Sequence, residues 1–216
     1  DEMPKAGWRR KTEGEKKTKG IRTVKNENTA KFLSGFAAIV GRPNVGKSTL
    51  MNAMVGEKVA IVSNRPQTTR NRIMGVATDK GWQIVFLDTP GLHKPRTRLG
   101  EYMVKSVQDA MDGIDVLLVL VDANEIGPQD RAIVEEMSAR KVKKILVLNK
   151  TDIVEEARLM AAIQSFAEAG YDAIVPISAR TGKGMDELKK LIVSYLPEGP
   201  KYFPDDMMTD QPERQI

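Results

Sequence analysis

From residue 36 to residue 196 the chain repeats one rhythm: a short apolar run without polar alternation, then a longer stretch with an apolar residue every three or four positions. The short runs are FAAIVG (36–41), DVLLVLVD (115–122), KILVLN (144–149) and AIVPIS (173–178). Continuous runs of this length predict strands buried on both faces. The longer stretches predict helices at about 128–140, 155–169 and 185–196, the last with Met185, Leu188, Ile192 and Tyr195 on one side. Two more helices are expected. One runs from Lys47 to about Gly56 with Leu50, Ala53 and Met54 on one face, the other from Tyr102 to Ala110 with Met103, Val107 and Met111 in register. IMGVAT (73–78) and WQIVFLD (82–88) flank the turn Asp79-Lys80-Gly81 and predict a hairpin. Strand–helix alternation of this kind predicts an α/β fold: a six-stranded, mainly parallel sheet with one antiparallel strand and helices on both faces.

Composition changes this picture little, but charge divides it. The 216 residues are enough for one domain with a sizeable core. There is no cysteine, which excludes a disulfide frame and thiolate chemistry and fits a reducing cytoplasm. The longest aliphatic run, VLLVLV, is too short to span a bilayer. The net charge of +5 is not spread evenly, because residues 1–31 carry ten Lys or Arg against five acids. That segment lacks apolar periodicity and reads as a disordered basic tail. It could hold RNA or an anionic membrane surface, although a merely solvated tail is the commoner outcome. Residues 32–198 read as the folded domain, and 199–216, rich in proline and acid, as a linker leaving it.

The chemistry sits at the ends of the predicted strands. Gly41-Arg42-Pro43-Asn44-Val45-Gly46-Lys47-Ser48 fits G-x-x-x-x-G-K-[ST] between a strand and a helix. In that context glycines let several N–H groups turn toward an anion, and the helix N-terminus adds partial positive charge. Lys47 should reach the β- and γ-phosphates and Ser48 should give its hydroxyl to Mg²⁺, with Thr49 next to it in the same site. Asp88 ends a buried strand, a costly place for a carboxylate unless it serves an ion. Holding Mg²⁺ through water offsets that cost. Thr89, Pro90, Gly91 and Leu92 follow as a turn, and the Gly91 N–H is suited to meet a γ-phosphate.

The choice of base is read from another strand end, Asn149-Lys150-Thr151-Asp152. The Asp152 carboxylate offers two acceptors at the spacing of guanine N1–H and the exocyclic amine, whereas adenine would leave it unpaired. The Lys150 stem can cover the base, and Asn149 can tie this loop to the phosphate loop. The backbone amides of Ser178, Ala179 and Arg180 are candidates for guanine O6.

The order GRPNVGKS, PQTTRN, DTPG, NKTD, SAR resembles that of translation-factor-class P-loop GTPases. More narrowly, EKVAIVSNRPQTTRNRI, DTPGLHKP with GEYM, and LPEGPKYFPDDMMTDQPER are similar to the bacterial Era GTPases, over roughly residues 33–214. The resemblance implies a GTP-hydrolysing switch acting in small (30S) ribosomal subunit assembly and 16S rRNA maturation, in the cytoplasm or peripherally at the inner face of the cell membrane. By position, Gln67, Thr68, Thr69, Arg70 and Asn71 would form the first switch. Thr69, with Thr68 as its competitor, would bind Mg²⁺ directly. Era proteins carry a KH domain after the GTPase domain. That module clamps RNA with a G-x-x-G loop, and no two glycines here are three apart. The RNA-reading part is therefore expected outside this chain.

Many GTPases place a Gln after D-x-x-G to position the attacking water. Leu92 stands there, so the resemblance points to Lys47, Thr69, Gly91, Mg²⁺ and a K⁺ ion near Asn44, with slow intrinsic turnover. His93, the lone histidine, reads as an exposed loop residue rather than a base.

Overall fold

The computed structural model describes residues 31–55, 72–88 and 113–204. Six strands form one sheet in the order β2-β3-β1-β4-β5-β6. They are β1 (Leu33–Val40), β2 (Arg72–Asp79), β3 (Trp82–Asp88), β4 (Val116–Asp122), β5 (Lys143–Asn149) and β6 (Ala173–Pro176). Only β2 runs antiparallel, joined to β3 by a tight turn at Lys80 and Gly81; the other neighbours pair in parallel. The helices are α1 (Lys47–Val55), α2 (Pro128–Ser138), α3 (Glu156–Phe166) and α4 (Met185–Tyr195), with a short 3-10 turn at Thr151–Ile153. The expected sheet is therefore present. The helix expected at 102–110 and most of the basic tail lie outside the described residues.

Strand periodicity of two sorts each apolar run into two layers. Ile39, Leu118, Leu120, Ile145 and Val147 face α1 and α4, packing on Leu50, Met51, Met54, Leu188 and Ile192. Their neighbours Val40, Leu117, Val119, Leu146 and Leu148 face α2 and α3, packing on Ile133, Val134, Met137 and Phe166. This double burial explains why the strands lack polar alternation. In α1 the buried face is Leu50, Met51 and Met54, and Ala53 is exposed, which corrects the expected face. The reason is the close crossing of α1 over β2, where a Cβ at Gly75 would meet Met51 Cε and the Val55 side chain.

β1 begins at Leu33, three residues earlier than its apolar run indicates, and Gly41 belongs to the following loop. Ser34 and Gly35 break the hydrophobic pattern, yet Ser34 is fully buried because the chain after α4 closes over it. The Ser34 N–H donates to Pro197 O at 3.0 Å, and the Gly199 N–H to Phe32 O at 3.1 Å. Farther on, Gln83 donates to Phe203 O at 2.8 Å and accepts from the Phe203 N–H at 3.0 Å. Tyr202 stacks obliquely on Phe36 at 4.9 Å, and Phe203 packs against Val76, Val85 and Leu87. The segment expected to leave the domain at 199 therefore stays on the sheet through Phe203.

Candidate functional site

Register places the site. Ile39 lies across from Asp88, Val40 across from Val119, and Asp122 across from Asn149. The C-terminal ends of β1, β3, β4, β5 and β6 thus lie at one edge of the sheet, the edge where ligands collect in open α/β folds. Asp88 holds the last position of β3 there. Thr89, Pro90, Gly91 and Leu92, together with Gln67, Thr68, Thr69, Arg70 and Asn71, lie outside the described residues.

The 41–48 loop bends through two left-handed positions, Asn44 (φ 64°) and Gly46 (φ 101°). Asparagine tolerates this region and glycine favours it. Val45 is buried between them, while Asn44, Ser48 and Thr49 are exposed. The Lys47 ammonium arches back over the loop, donating to Gly41 O and Arg42 O at 2.7 Å each. The Leu50 N–H closes the first turn of α1 on Gly46 O at 2.8 Å. The earlier amides of that turn have no carbonyl behind them within the helix, so they face the loop as anion donors. Arg42 contributes only its backbone to this cradle. Its guanidinium turns away, to the buried Asp130 at 2.9 Å and to Glu125 O at 2.6 Å.

Asn149 is the hinge of the site. It is 2% exposed, donates to Val45 O at 2.9 Å and accepts from the Ala179 N–H at 3.0 Å. One side chain therefore couples the phosphate-type loop to both loops of the other half, as its expected tying role requires. Lys150 adopts φ 66°, and its ammonium pairs with Asp122 at 2.6 Å. Asp122 is a site residue that sequence reasoning used only as the end of an apolar run. Its signature, a buried carboxylate closing a strand, is the one that singled out Asp88.

Asp152 lines a cavity of about 260 Å³ with Thr49, Asn149, Lys150, Ile153 and Arg180. Its Oδ1 accepts from Ser178 Oγ at 2.7 Å and its Oδ2 from Arg180 at 2.6 Å. The Ser178 hydrogen bond, with Arg180 adding to it, holds the carboxyl below its ordinary value, so it is ionised at neutral pH. The three candidate amides do not stay equivalent. The Ser178 N–H is taken by Lys183 O at 2.9 Å and the Ala179 N–H by Asn149. Of the three, the Arg180 N–H is the one with no internal acceptor among the described residues. A larger open concavity of about 600 Å³, between 140–144 and 170–172, lies where β5 and β6 begin and contains none of the candidate residues. Among the described residues no three His, Cys, Asp or Glu side chains cluster as metal ligands, and no helix is long and apolar enough to cross a membrane.

Comparison with known proteins agrees with this geometry. The family described as 50S ribosome-binding GTPase matches residues 36–150. GTPase Era of Clostridioides difficile is 56% identical over 188 residues, covering 86% of this chain. A solved structure of Aquifex aeolicus Era bound to GDP·AlF4⁻ superposes with a TM-score of 0.68 at 41% identity, over 84% of this chain and 63% of that one. Another, of Era with MgGDPNP and nucleotides 1506–1542 of 16S ribosomal RNA, gives 0.67 at 42% identity over the same shares. The chain spans 63% of the length of the curated relatives it matches. With a family match over more than half of its residues, the chain belongs to the 50S ribosome-binding GTPase family, and within it is similar to Era proteins over 63% of their length.

Proposed function

We propose that this chain binds GTP and GDP along the edge defined by 41–49, 88–92, 149–152 and 178–180, and hydrolyses GTP slowly in an Mg²⁺-dependent reaction. The observation that carries this reading is Asn149, which joins Val45 of the anion loop to Ala179 beside the cavity holding Asp152. Phosphates and base then fall to the two ends of one bound molecule. Asp152 would take the guanine edge, the Arg180 N–H its O6, and the Lys150 stem its face.

For the metal, Ser48 in the exposed first turn of α1 and Asp88 at the end of β3 would supply oxygen ligands of the kind a hard cation takes, since β1, which leads into the Ser48 loop, lies beside β3 in register with Asp88. Thr69, or Thr68, would complete the set. When bound, Mg²⁺ supplies charge neutralisation at the β- and γ-phosphates. Lys47 would leave the Gly41 and Arg42 carbonyls to hold those phosphates. The Gly91 N–H would meet the γ-phosphate, and the Thr69 segment would close on it. Leu92 cannot orient water, so turnover would depend on charge stabilisation and alignment, with K⁺ beside Asn44 as an activator.

Partners follow the Era relatives. An Era structure solved with nucleotides 1506–1542 of 16S ribosomal RNA supports that RNA as the target, and with it the small ribosomal subunit, a KH domain of the kind the Era resemblance implies making the contact. Work there is cytoplasmic, with peripheral membrane contact as a secondary site. The deciding experiment is calorimetry of the chain with GDP, GTP and ADP in Mg²⁺, beside GTP turnover in KCl and NaCl. Guanine binding without adenine binding is expected, and equal heats for GDP and ADP would refute the base reading. Equal turnover in the two salts would remove Asn44 and K⁺.

A further inference from the structure

Both oxygens of the Asp152 carboxylate are engaged within the chain, by two very different donors. Ser178 is fully buried and gives its single hydroxyl proton to Oδ1. Arg180 reaches Oδ2 with a side chain that is 75% exposed, from the rim of the cavity that both residues line. A carboxylate oxygen has two lone pairs, so Ser178 can stay while a ligand donates to Oδ1. Arg180 occupies part of the remaining capacity with a charged fork, and one donor of an incoming base must compete with it.

Guanine C2 with N1, N3 and the exocyclic amine is itself a guanidine unit, so the base edge and the arginine head group offer a carboxylate the same pair of N–H donors. We infer that Arg180 is an internal stand-in for the guanine edge, satisfying Asp152 in the absence of a base and yielding to guanine when it enters. This rests on the base reading proposed above and adds to it a residue that sets affinity and base selectivity. Because the Arg180 end of the pair is mostly exposed, displacing it is cheap, worth up to about five-fold in binding. Selectivity follows from donor count. Guanine, with two donors, releases Arg180. Hypoxanthine, with N1–H alone, fills one oxygen and leaves the other to Arg180, which softens its penalty.

The test uses Arg180→Met, which keeps the aliphatic stem and removes the fork. GDP, IDP and ADP are titrated calorimetrically into the chain and the variant, and GDP association is followed by stopped flow. The variant is expected to bind GDP about two- to five-fold more tightly, through faster association. Its preference for GDP over IDP is also expected to rise. Weaker or unchanged GDP binding, as a base-stacking or purely structural arginine would give, overturns the inference, and so does an unchanged GDP-to-IDP ratio. A starting chain that prefers GDP to ADP while Arg180→Met changes nothing sinks only this inference. A starting chain with no preference sinks the base reading and the inference together.

Discussion

The side-chain amide of Asn149 donates to the carbonyl of Val45 across 104 positions of sequence, and its oxygen accepts from the Ala179 N–H. Three loops depend on this one buried side chain. Asn149→Ala leaves a buried carbonyl and a buried N–H unpaired, each costing about 1–3 kcal/mol. Denaturant unfolding should show a loss of about 2–4 kcal/mol, together with markedly weaker GDP binding. A variant that keeps full stability would mean that water replaces the amide and that the loops are coupled by other contacts.

Gly46 faces the same amide. Its φ of 101° disfavours any side chain, and a Cβ there would collide with Asn149 Nδ2. Gly46→Ala should therefore cost about 1–2 kcal/mol for the left-handed backbone alone, plus the displacement of Asn149. Because the two residues touch, Gly46→Ala combined with Asn149→Ala should cost less than the separate effects added together. A double-mutant cycle by urea unfolding checks this, and strict additivity would place the strain elsewhere.

The Asp152 carboxyl sits below its ordinary value of 3.8 because Ser178 donates to its ionised form, with Arg180 as a further cause. A folded-state value below the unfolded one stabilises the fold at pH above the unfolded value. That contribution disappears as pH falls through the folded value. Ser178→Ala should raise the Asp152 value toward the ordinary one, so GDP binding fails at a higher pH on the acid side. Carbon-detected titration of the Asp152 carboxyl reads the shift directly. An unmoved titration would assign the depression to the backbone hydrogen bond and to Arg180.

How much of this was legible in advance depended on whether a local pattern or a distant contact decided the outcome. β4 and β5 announce themselves because burial on both faces demands uninterrupted aliphatic residues. The anion loop announces itself because its backbone angles demand glycine at Gly46. The tying role of Asn149 follows from its place at a strand end. The start of β1 did not announce itself, because Ser34 is covered by Pro197 and Gly199, more than 160 positions later in the chain. The amides of Ser178 and Ala179 look like ligand donors in sequence, yet Lys183 and Asn149 take them, and only the folded loop reveals that competition. Arg180 likewise reads as a backbone donor until its head group is found on Asp152.

Gln83 makes the same point at the other end of the sheet. It is fully buried at the start of β3, where an unpaired amide would be costly. Its side chain instead pairs with both backbone groups of Phe203, imitating one rung of a strand ladder. Phe203 in turn packs on Val76, Val85 and Leu87, and Leu87 immediately precedes Asp88. Gln83→Leu keeps the volume roughly constant but leaves the Phe203 N–H and C=O without their partner. The expected loss is about 1–3 kcal/mol, concentrated in the segment after α4. Hydrogen exchange should report it as faster exchange of the Phe203 amide while the β4 and β5 amides stay protected. Gln83→Glu, which keeps the acceptor for the Phe203 N–H and loses the donor, should leave that amide better protected than Gln83→Leu does. Equal protection in both variants would mean that apolar packing of Tyr202 and Phe203 holds the segment and the amide contributes nothing.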